Sequence, residues 1–188
     1  YVVASIFPIF RGYAAVDATI GDNTFRFVST HLEVRGPESI FGGQAQFGQA
    51  QELLDVLEEE ELPIILVGDF NSAPVEGSSD TYDLITGTGA GEGGFVDIWR
   101  RGRNGRSRVG LTCCQDEFLL NSPSQLYERV DHIFLRNDLR EMPFNQVGPA
   151  VVKIVGDKEK DKTVSGLWPS DHAGVKATLV VPGLWDFQ

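Results

Sequence analysis

The sequence predicts an α/β domain of two packed sheets with helices on the outside. Three observations carry that expectation. Strand-like segments outnumber helical ones, and the one long helical pattern lies between two strand-like segments, where it reads as a crossover. The 188 residues, 41% apolar and 23% charged, have the proportions of one folded domain. Residues 1–188 are therefore read as a single domain, without internal repeat or linker.

The elements follow in order. Val2–Phe7, Tyr13–Ile20 and Phe25–Leu32 read as strands, the last two joined through Gly21-Asp22-Asn23 as an antiparallel hairpin. From Gln44 to Glu60, Phe47, Ala50, Leu53, Leu54 and Leu57 recur at helical spacing, which predicts an amphipathic helix. Its acidic end, Glu58–Glu61, sits where the helix dipole disfavours negative charge and reads as solvated surface rather than a metal site. Pro63 and the run Ile64–Val67 predict a buried strand ending at Gly68. Short helices are expected around Ser79–Ile85 and Phe95–Trp99, then an Arg-dense loop from Arg100 to Arg108. Further strands are expected near Leu111–Cys114, across Arg129–Leu135, across Val147–Val155 and from about Ala173 to Val181.

Composition excludes several classes of function. Lys plus Arg total 16 against 27 Asp plus Glu, a formal charge of -11, so bulk positive charge cannot be what holds a polyphosphate. A bound cation would supply positive charge locally instead. No apolar run reaches the roughly 18 residues of a spanning helix. The chain opens on Tyr1 without a charged leader or cleavage site, and a segment upstream is expected to have been removed or left out. Cys113 and Cys114 are adjacent, a spacing at which an ordinary disulfide is not expected, and zinc-finger spacing is absent.

Four short segments hold the residues capable of chemistry. Gly68-Asp69-Phe70-Asn71 follows the buried strand, and its carboxylate can hold a metal or move a proton while its amide donates without adding charge. The same tetrapeptide also reads as an Asx-type turn. In Arg129-Val130-Asp131-His132, strand alternation puts Asp131 on the face of Ile133 and Leu135, where a carboxylate needs a partner. His172, in Ser170-Asp171-His172, is the natural one, with Asp131 fixing its tautomer; a loop cap is the plainer reading of that tripeptide. His132, on the opposite face, reads as structural, and His31 as either a strand-end or a site histidine. A serine hydrolase is excluded because no Gly-x-Ser-x-Gly elbow occurs.

Phe27-Val28-Ser29-Thr30-His31-Leu32-Glu33, Val67-Gly68-Asp69-Phe70-Asn71-Ser72, Glu128-Arg129-Val130-Asp131-His132-Ile133 and Ser170-Asp171-His172 resemble, in order, the motifs of the endonuclease/exonuclease/phosphatase superfamily. That group contains pancreatic-type deoxyribonucleases, apurinic endonucleases, neutral sphingomyelinases and inositol polyphosphate phosphatases. Leu111-Thr112-Cys113-Cys114-Gln115, with Leu120-Asn121 and Ser124-Gln125-Leu126, resembles a bacterial subgroup. The resemblance implies a four-layer α/β/β/α sandwich of two mixed sheets and a phosphoester hydrolase dependent on Mg²⁺ or Mn²⁺. A phosphodiesterase or nuclease is the leading expectation. The rivals are a phosphomonoesterase, a sphingomyelinase-like hydrolase and a non-catalytic binding module.

By the same resemblance His172 is the general base or phosphate-contacting histidine and Asp131 its orienting carboxylate. Asp69 positions or deprotonates the attacking water, Asn71 stabilises the transition state, His31 contacts the scissile phosphate, and Asp171 and Asp69 hold the metal. The family's first strands, with an Asn and a Glu that bind metal, have no counterpart after Tyr1. The chain is therefore expected to be the C-terminal portion of a domain, a poor metal binder by itself with an exposed sheet edge. Nucleic acid is the expected partner, with no membrane span and no obligate protein partner. Five of the 16 basic residues, Arg100, Arg101, Arg103, Arg106 and Arg108, fall within nine positions, and Arg101 and Arg103 are the candidate phosphate contacts. A solubilising surface loop is the alternative. Trp99 reads as a core anchor before a base-stacking platform.

Overall fold

The computed structural model describes residues 2–3, 9–35, 42–74, 80–87, 94–101, 109–136 and 151–179. In chain order these form β1 (Val2–Val3), β2 (Ile9–Phe10), β3 (Tyr13–Ile20), β4 (Asn23–His31), α1 (Gly42–Glu58), β5 (Ile64–Asp69), α2 (Asp80–Thr86), β6 (Val96–Asp97), α3 (Ile98–Arg101), β7 (Asp131–Arg136), β8 (Val151–Val155) and β9 (Gly174–Thr178). A mixed five-stranded sheet runs β3-β4-β5-β7-β6, with β8-β9 a second, antiparallel sheet and β1-β2 a short pair. The β4–α1–β5 unit is the predicted crossover, joining parallel neighbours, and the hairpin of β3 and β4 pairs Ile20 with Asn23.

Two cores hold the layers together. On one face Leu53 and Leu57 of α1 and Tyr82 and Ile85 of α2 bury against Val28, Ile64, Leu66 and Phe134 of the sheet. Each such fully buried apolar side chain stabilises the fold by about 1.5–3 kcal/mol. On the other face Ile65, Ile133 and Leu135 meet Val152, Ile154, Val175 and Ala177 of the second sheet, with Ile98 and Trp99 of α3. Trp99 is thus the core anchor, not a surface platform. The remaining helical elements among the described residues are short: α3 and a 3-10 turn at Glu159–Asp161.

Several elements differ from the sequence reading. Phe95–Trp99 was expected to be helical, but Val96 and Asp97 pair with Leu135 and Phe134, and the ladder overrides local preference before α3 begins. The strand near Leu111–Cys114 shrinks to single bridges from Cys113 to Glu128 and to His172, because Gly110, at φ +71°, turns the chain out of extended conformation just before it. The sulfurs of Cys113 and Cys114 are bonded to each other, contrary to expectation. Backbone pairing to Glu128 and to His172 holds Cys113 from both sides. Glu60 is not merely solvated: it pairs with Arg26, while buried Arg136 donates to the carbonyls of Leu57 and Glu60 and satisfies the end of α1 that the acidic run leaves uncompensated. The expected strand residues 4–7, 147–150 and 180–181, and Arg103, Arg106 and Arg108, lie outside the described residues.

Strand β3 borders the sheet and leaves Val16 and Ile20 exposed. No helix among the described residues is long and apolar enough to cross a membrane.

Gly68 adopts φ +147°, and a Cβ there would collide with the backbone carbonyl of Thr30 on the neighbouring strand. Gly68→Ala is therefore expected to destabilise the fold by about 2 kcal/mol or more, read as a lower urea midpoint. An unchanged midpoint would contradict the close approach of β4 and β5.

Candidate active site

Sheet register assembles the site. Parallel pairing sets His31 of β4 opposite Asp69 of β5, and antiparallel pairing sets Asp69 opposite Asp131 of β7. Directly opposed residues share a face. The three therefore stand in a row at the strand ends, on the face of Ile65, Ile133 and Leu135. His172 joins the row from the chain entering β9, where its backbone bridges to Cys113. Its Nδ1 lies 2.8 Å from Asp131 Oδ2. Ligating atoms of Asp69, Asp131 and His172 all lie within 4.8 Å of one another.

The protonation pattern follows from these partners. An ionised Asp131 only accepts, so Nδ1 of His172 carries hydrogen and donates to it, leaving the lone pair of the neutral ring on Nε2. The hydrogen bond to Asp131 raises the proton affinity of His172; partial burial opposes this, and the negative charges of Asp131, Asp69 and Asp171 add to it. Burial likewise raises Asp69 above the ordinary carboxylate range, with the charge of Asp131 adding to it, although the Asn71 N–H and the two histidines pull the other way.

The loop after β5 is held tightly. Asn71, at φ +48°, uses the left-handed conformation that asparagine tolerates. Its backbone N–H donates to Asp69 Oδ1 at 2.8 Å, so the Asx-type turn is present alongside the site geometry. Asn71 Nδ2 donates to the Leu32 carbonyl at 2.9 Å and lies 3.3 Å from His31 Nε2, which is also 3.3 Å from Asp69 Oδ2. From α1, Gln46 donates to the carbonyls of Asn71 and Glu33, and Gln49 Oε1 accepts from the Glu33 N–H. The Ser170 hydroxyl accepts the His172 N–H and donates to Asp171, so the tripeptide is also the turn its plainer reading described.

Beneath the row lies a buried polar network on the opposite face of the sheet. Arg129 donates to Asp97 Oδ2 at 2.7 Å, Tyr82 OH donates to the same oxygen at 2.7 Å, and Arg129 Nη1 lies 3.0 Å from His132 Nδ1. A guanidinium only donates, so Nδ1 of His132 accepts and Nε2–H donates to the Ser72 carbonyl at 2.9 Å. His132 is thereby fixed as a neutral structural residue, its pKa pushed down to about 4 by burial and then by Arg129. Burial works to raise Asp97, but the charge and hydrogen bond of Arg129, with His132 and the Tyr82 hydroxyl, together outweigh it and hold the carboxyl below its usual range. Tyr82 is pushed up to about 12 by burial and by Asp97. The Thr112 hydroxyl accepts from the N–H groups of Val130 and Asp131, tying the same strand start from the other side.

Of the residues singled out in the sequence, His31, Asp69, Asn71, Asp131 and His172 are brought together. Asp171 is exposed and stands outside the close donor group, Arg101 is exposed at the end of α3, and Arg103 lies outside the described residues. Sequence reasoning missed the positioning roles of Gln46, Gln49, Thr112 and Arg129, and the approach of Cys114 Sγ to 3.7 Å from His172 Nε2. One signal was available: Gln46 and Gln49 share the buried stripe of α1 with Leu53, and a buried amide must have a partner.

A two-sheet α/β fold with a carboxylate–histidine row at the strand ends defines a class of domain. The chain belongs to the endonuclease/exonuclease/phosphatase family, whose model matches residues 2–172. Members of this family are generally phosphoester hydrolases that use divalent metals. Among solved structures, TDP2 from D. rerio complexed with a single-strand DNA product is similar at 20% identity and TM-score 0.62, over 91% of this chain and 62% of that one. The mannosyl-6-phosphatase Bt3783 of Bacteroides thetaiotaomicron gives 21% identity and TM-score 0.51, over 85% and 52%. The human Nocturnin catalytic domain with bound sulfate gives 15% and 0.53, over 95% and 57%. These likenesses establish the shared fold, and the chain spans less than two thirds of each of these structures. No curated protein matches it.

Ring resonances test the two assignments directly. His132 should stay neutral down to about pH 4, whereas His172 should gain its proton above the 6.5 of a free histidine. The signs for stability are opposite. The lowered pKa of His132 removes about 3 kcal/mol as pH falls from 6.5 to 4, because the unfolded chain takes up the proton first. The raised pKa of His172 adds stability below 6.5 that is lost as pH rises through its folded value. A His132 resonance titrating near 6.5 would contradict the buried Arg129 contact.

Proposed function

We propose that this chain carries the site of a metal-dependent phosphodiesterase of nuclease type. The observation that carries the reading is the 2.8 Å pair of His172 and Asp131 beside Asp69, in one row at the strand ends. In this reading Nε2 of His172 takes the proton of a water molecule as its oxygen attacks phosphorus and the ester P–O bond breaks. Asp131 keeps the ring oriented and stabilises the imidazolium that results. Asn71 has one amide hydrogen committed to Leu32 and its Nδ2 stands 3.3 Å from His31 Nε2; in this reading the second hydrogen turns from the ring to a non-bridging oxygen when phosphate binds, leaving His31 to meet another.

The donor chemistry fits a hard cation. Asp69 offers carboxylate oxygen inside the row and Asp171 offers it at the surface beside His172, while Asp131 is committed to the histidine. Asp69 would hold Mg²⁺ or Mn²⁺, which when bound would neutralise phosphate charge and favour departure of the leaving oxygen; Asp171, outside the close donor group, is the further carboxylate this reading assigns to it. Asp69 and Asp131 are neighbouring carboxylates in a chain of net charge -11, and a cation there offsets both their repulsion and that of an incoming phosphate.

Nucleic acid is the substrate class this reading favours. Exposed Arg100 and Arg101 end α3, in a segment of five arginines, and guanidinium forks suit phosphate oxygens. One solved relative of the same fold is the TDP2 complex with single-strand DNA.

Two experiments test the function. In the full-length chain, chelation should abolish hydrolysis of a generic phosphodiester and Mg²⁺ or Mn²⁺ restore it, while His172→Ala and Asp131→Asn should each lower kcat by about 10²-fold or more. Chelator-resistant turnover, or an unchanged His172→Ala rate, would refute the mechanism. Replacing Arg101 and Arg103 by Ala should weaken single-strand DNA binding and flatten its salt dependence by about one unit of log–log slope per lost phosphate contact. Unchanged binding across salt would identify the loop as surface only, and turnover of phosphomonoesters but not diesters would move the substrate to a sugar phosphate.

A further inference from the structure

The nitrogen of His172 that Asp131 leaves open is not facing solvent alone: Cys114 Sγ lies 3.7 Å from it. That sulfur is bonded to Cys113, whose backbone bridges to His172 on one side and to Glu128 on the other. Gln115 N–H donates to the Asp171 carbonyl and Ala173 N–H to the Thr112 carbonyl, both at 2.8 Å, so the cysteines and the histidine are held by one ladder. The ligating atoms of Cys113, Cys114 and His172 all lie within 4.8 Å of one another. Cys113 is buried, 7% exposed, whereas Cys114 is half-buried, and the more exposed residue is taken as the point of attack.

We propose that Cys113–Cys114 is a thiol–disulfide exchange site whose redox state controls Nε2 of His172. Its effect on turnover rests on the reading of His172 as the base, whereas the exchange and the contact with the ring do not. A thiolate of a dithiol reductant attacks Cys114 Sγ, the S–S bond breaks, and Cys113 leaves as a thiolate that takes up a proton. The second thiol of the reductant attacks the mixed disulfide, which releases Cys114 as a thiol and the reductant as its own disulfide. Two electrons and two protons have then passed to the protein.

The consequence is set by donor and acceptor roles. In the disulfide Cys114 carries no hydrogen, so its sulfur can only accept and the Nε2 lone pair remains available. As a thiol it places an S–H against that lone pair and donates to it, which occupies the base. The oxidised form is the competent one and the reduced form is restrained. The carboxylate row is untouched by the exchange, since Asp69 and Asp131 make their contacts without either cysteine.

The test uses the full-length chain, oxidised or treated with dithiothreitol, with the thiol state read by mass after alkylation. No alkylation is expected before reduction and two additions after it. Reduction should shift the Nε2 resonance of His172, with those of His31 and His132 serving as controls, and should lower phosphodiester turnover about tenfold or more, reversed by reoxidation. Cys114→Ala should keep the oxidised rate under reductant. Cys113→Ala, which leaves a permanent thiol beside the ring, should show the reduced rate in either condition. If mass confirms reduction while the His172 resonance stays in place, the proposal is overturned, and the same follows if both cysteine variants respond alike. Absence of turnover in every state would refute the hydrolase reading alone, since the resonance still reports the contact.

Discussion

The site depends on one constraint above the rest, the pairing register of three adjacent strands. His31, Asp69 and Asp131 come from positions far apart in the chain and meet only because β4, β5 and β7 are aligned residue for residue. A shift of one residue in any pair would send a member of the row to the opposite face, because side chains alternate. The two cores enforce the register, with Val28, Leu66 and Phe134 committed to the helices and Ile65, Ile133 and Leu135 to the second sheet. The packing that stabilises the fold is thus also what sets the chemistry.

Register brings a difficulty with it, since Asp69 and Asp131 are cross-strand neighbours of like charge. The structure relieves it unequally. Asp131 is taken up by His172, and Asp69 is left with a backbone N–H, a distant imidazole and a raised proton affinity. Two carboxylates in unlike surroundings can take different roles, one orienting a base and the other meeting water or a cation. The buried Arg129–Asp97–Tyr82 network on the other face keeps β7 and the Ser72 loop in place without entering the row. Removing one partner of such a buried pair strands the other charge, which makes this network intolerant of single substitutions.

Much of this was legible in the sequence, and the rest was hidden for identifiable reasons. Strand alternation alone placed Asp131 on the face of Ile133 and Leu135 and His132 on the other, and the structure agrees. Helical spacing found α1, since Leu53 and Leu57 repeat at the right interval. The Phe95–Trp99 segment was misread because a ladder with β7 is a tertiary interaction that no local pattern encodes. Cys113 and Cys114 were set aside because neighbouring cysteines seldom bond, and the bridges of Cys113 to Glu128 and His172 are tertiary contacts that no local pattern encodes. Arg129 was read as part of a motif, while its partner Asp97 lies 32 residues away.

The charge balance takes on a different meaning once the row is seen. A chain of charge -11 repels a phosphodiester at long range, and the basic residues at the end of α3 are too few to reverse that field. On the proposed reading attraction is then local and conditional, arising where a cation meets Asp69, while His172 stays neutral to act as the base. Substrate without cation would face the bare carboxylates, so repulsion itself couples binding of phosphate to binding of metal. If the proposed function holds, an acidic surface is a means of selectivity: it lets the site hold a phosphoester only when a cation is bound beside it.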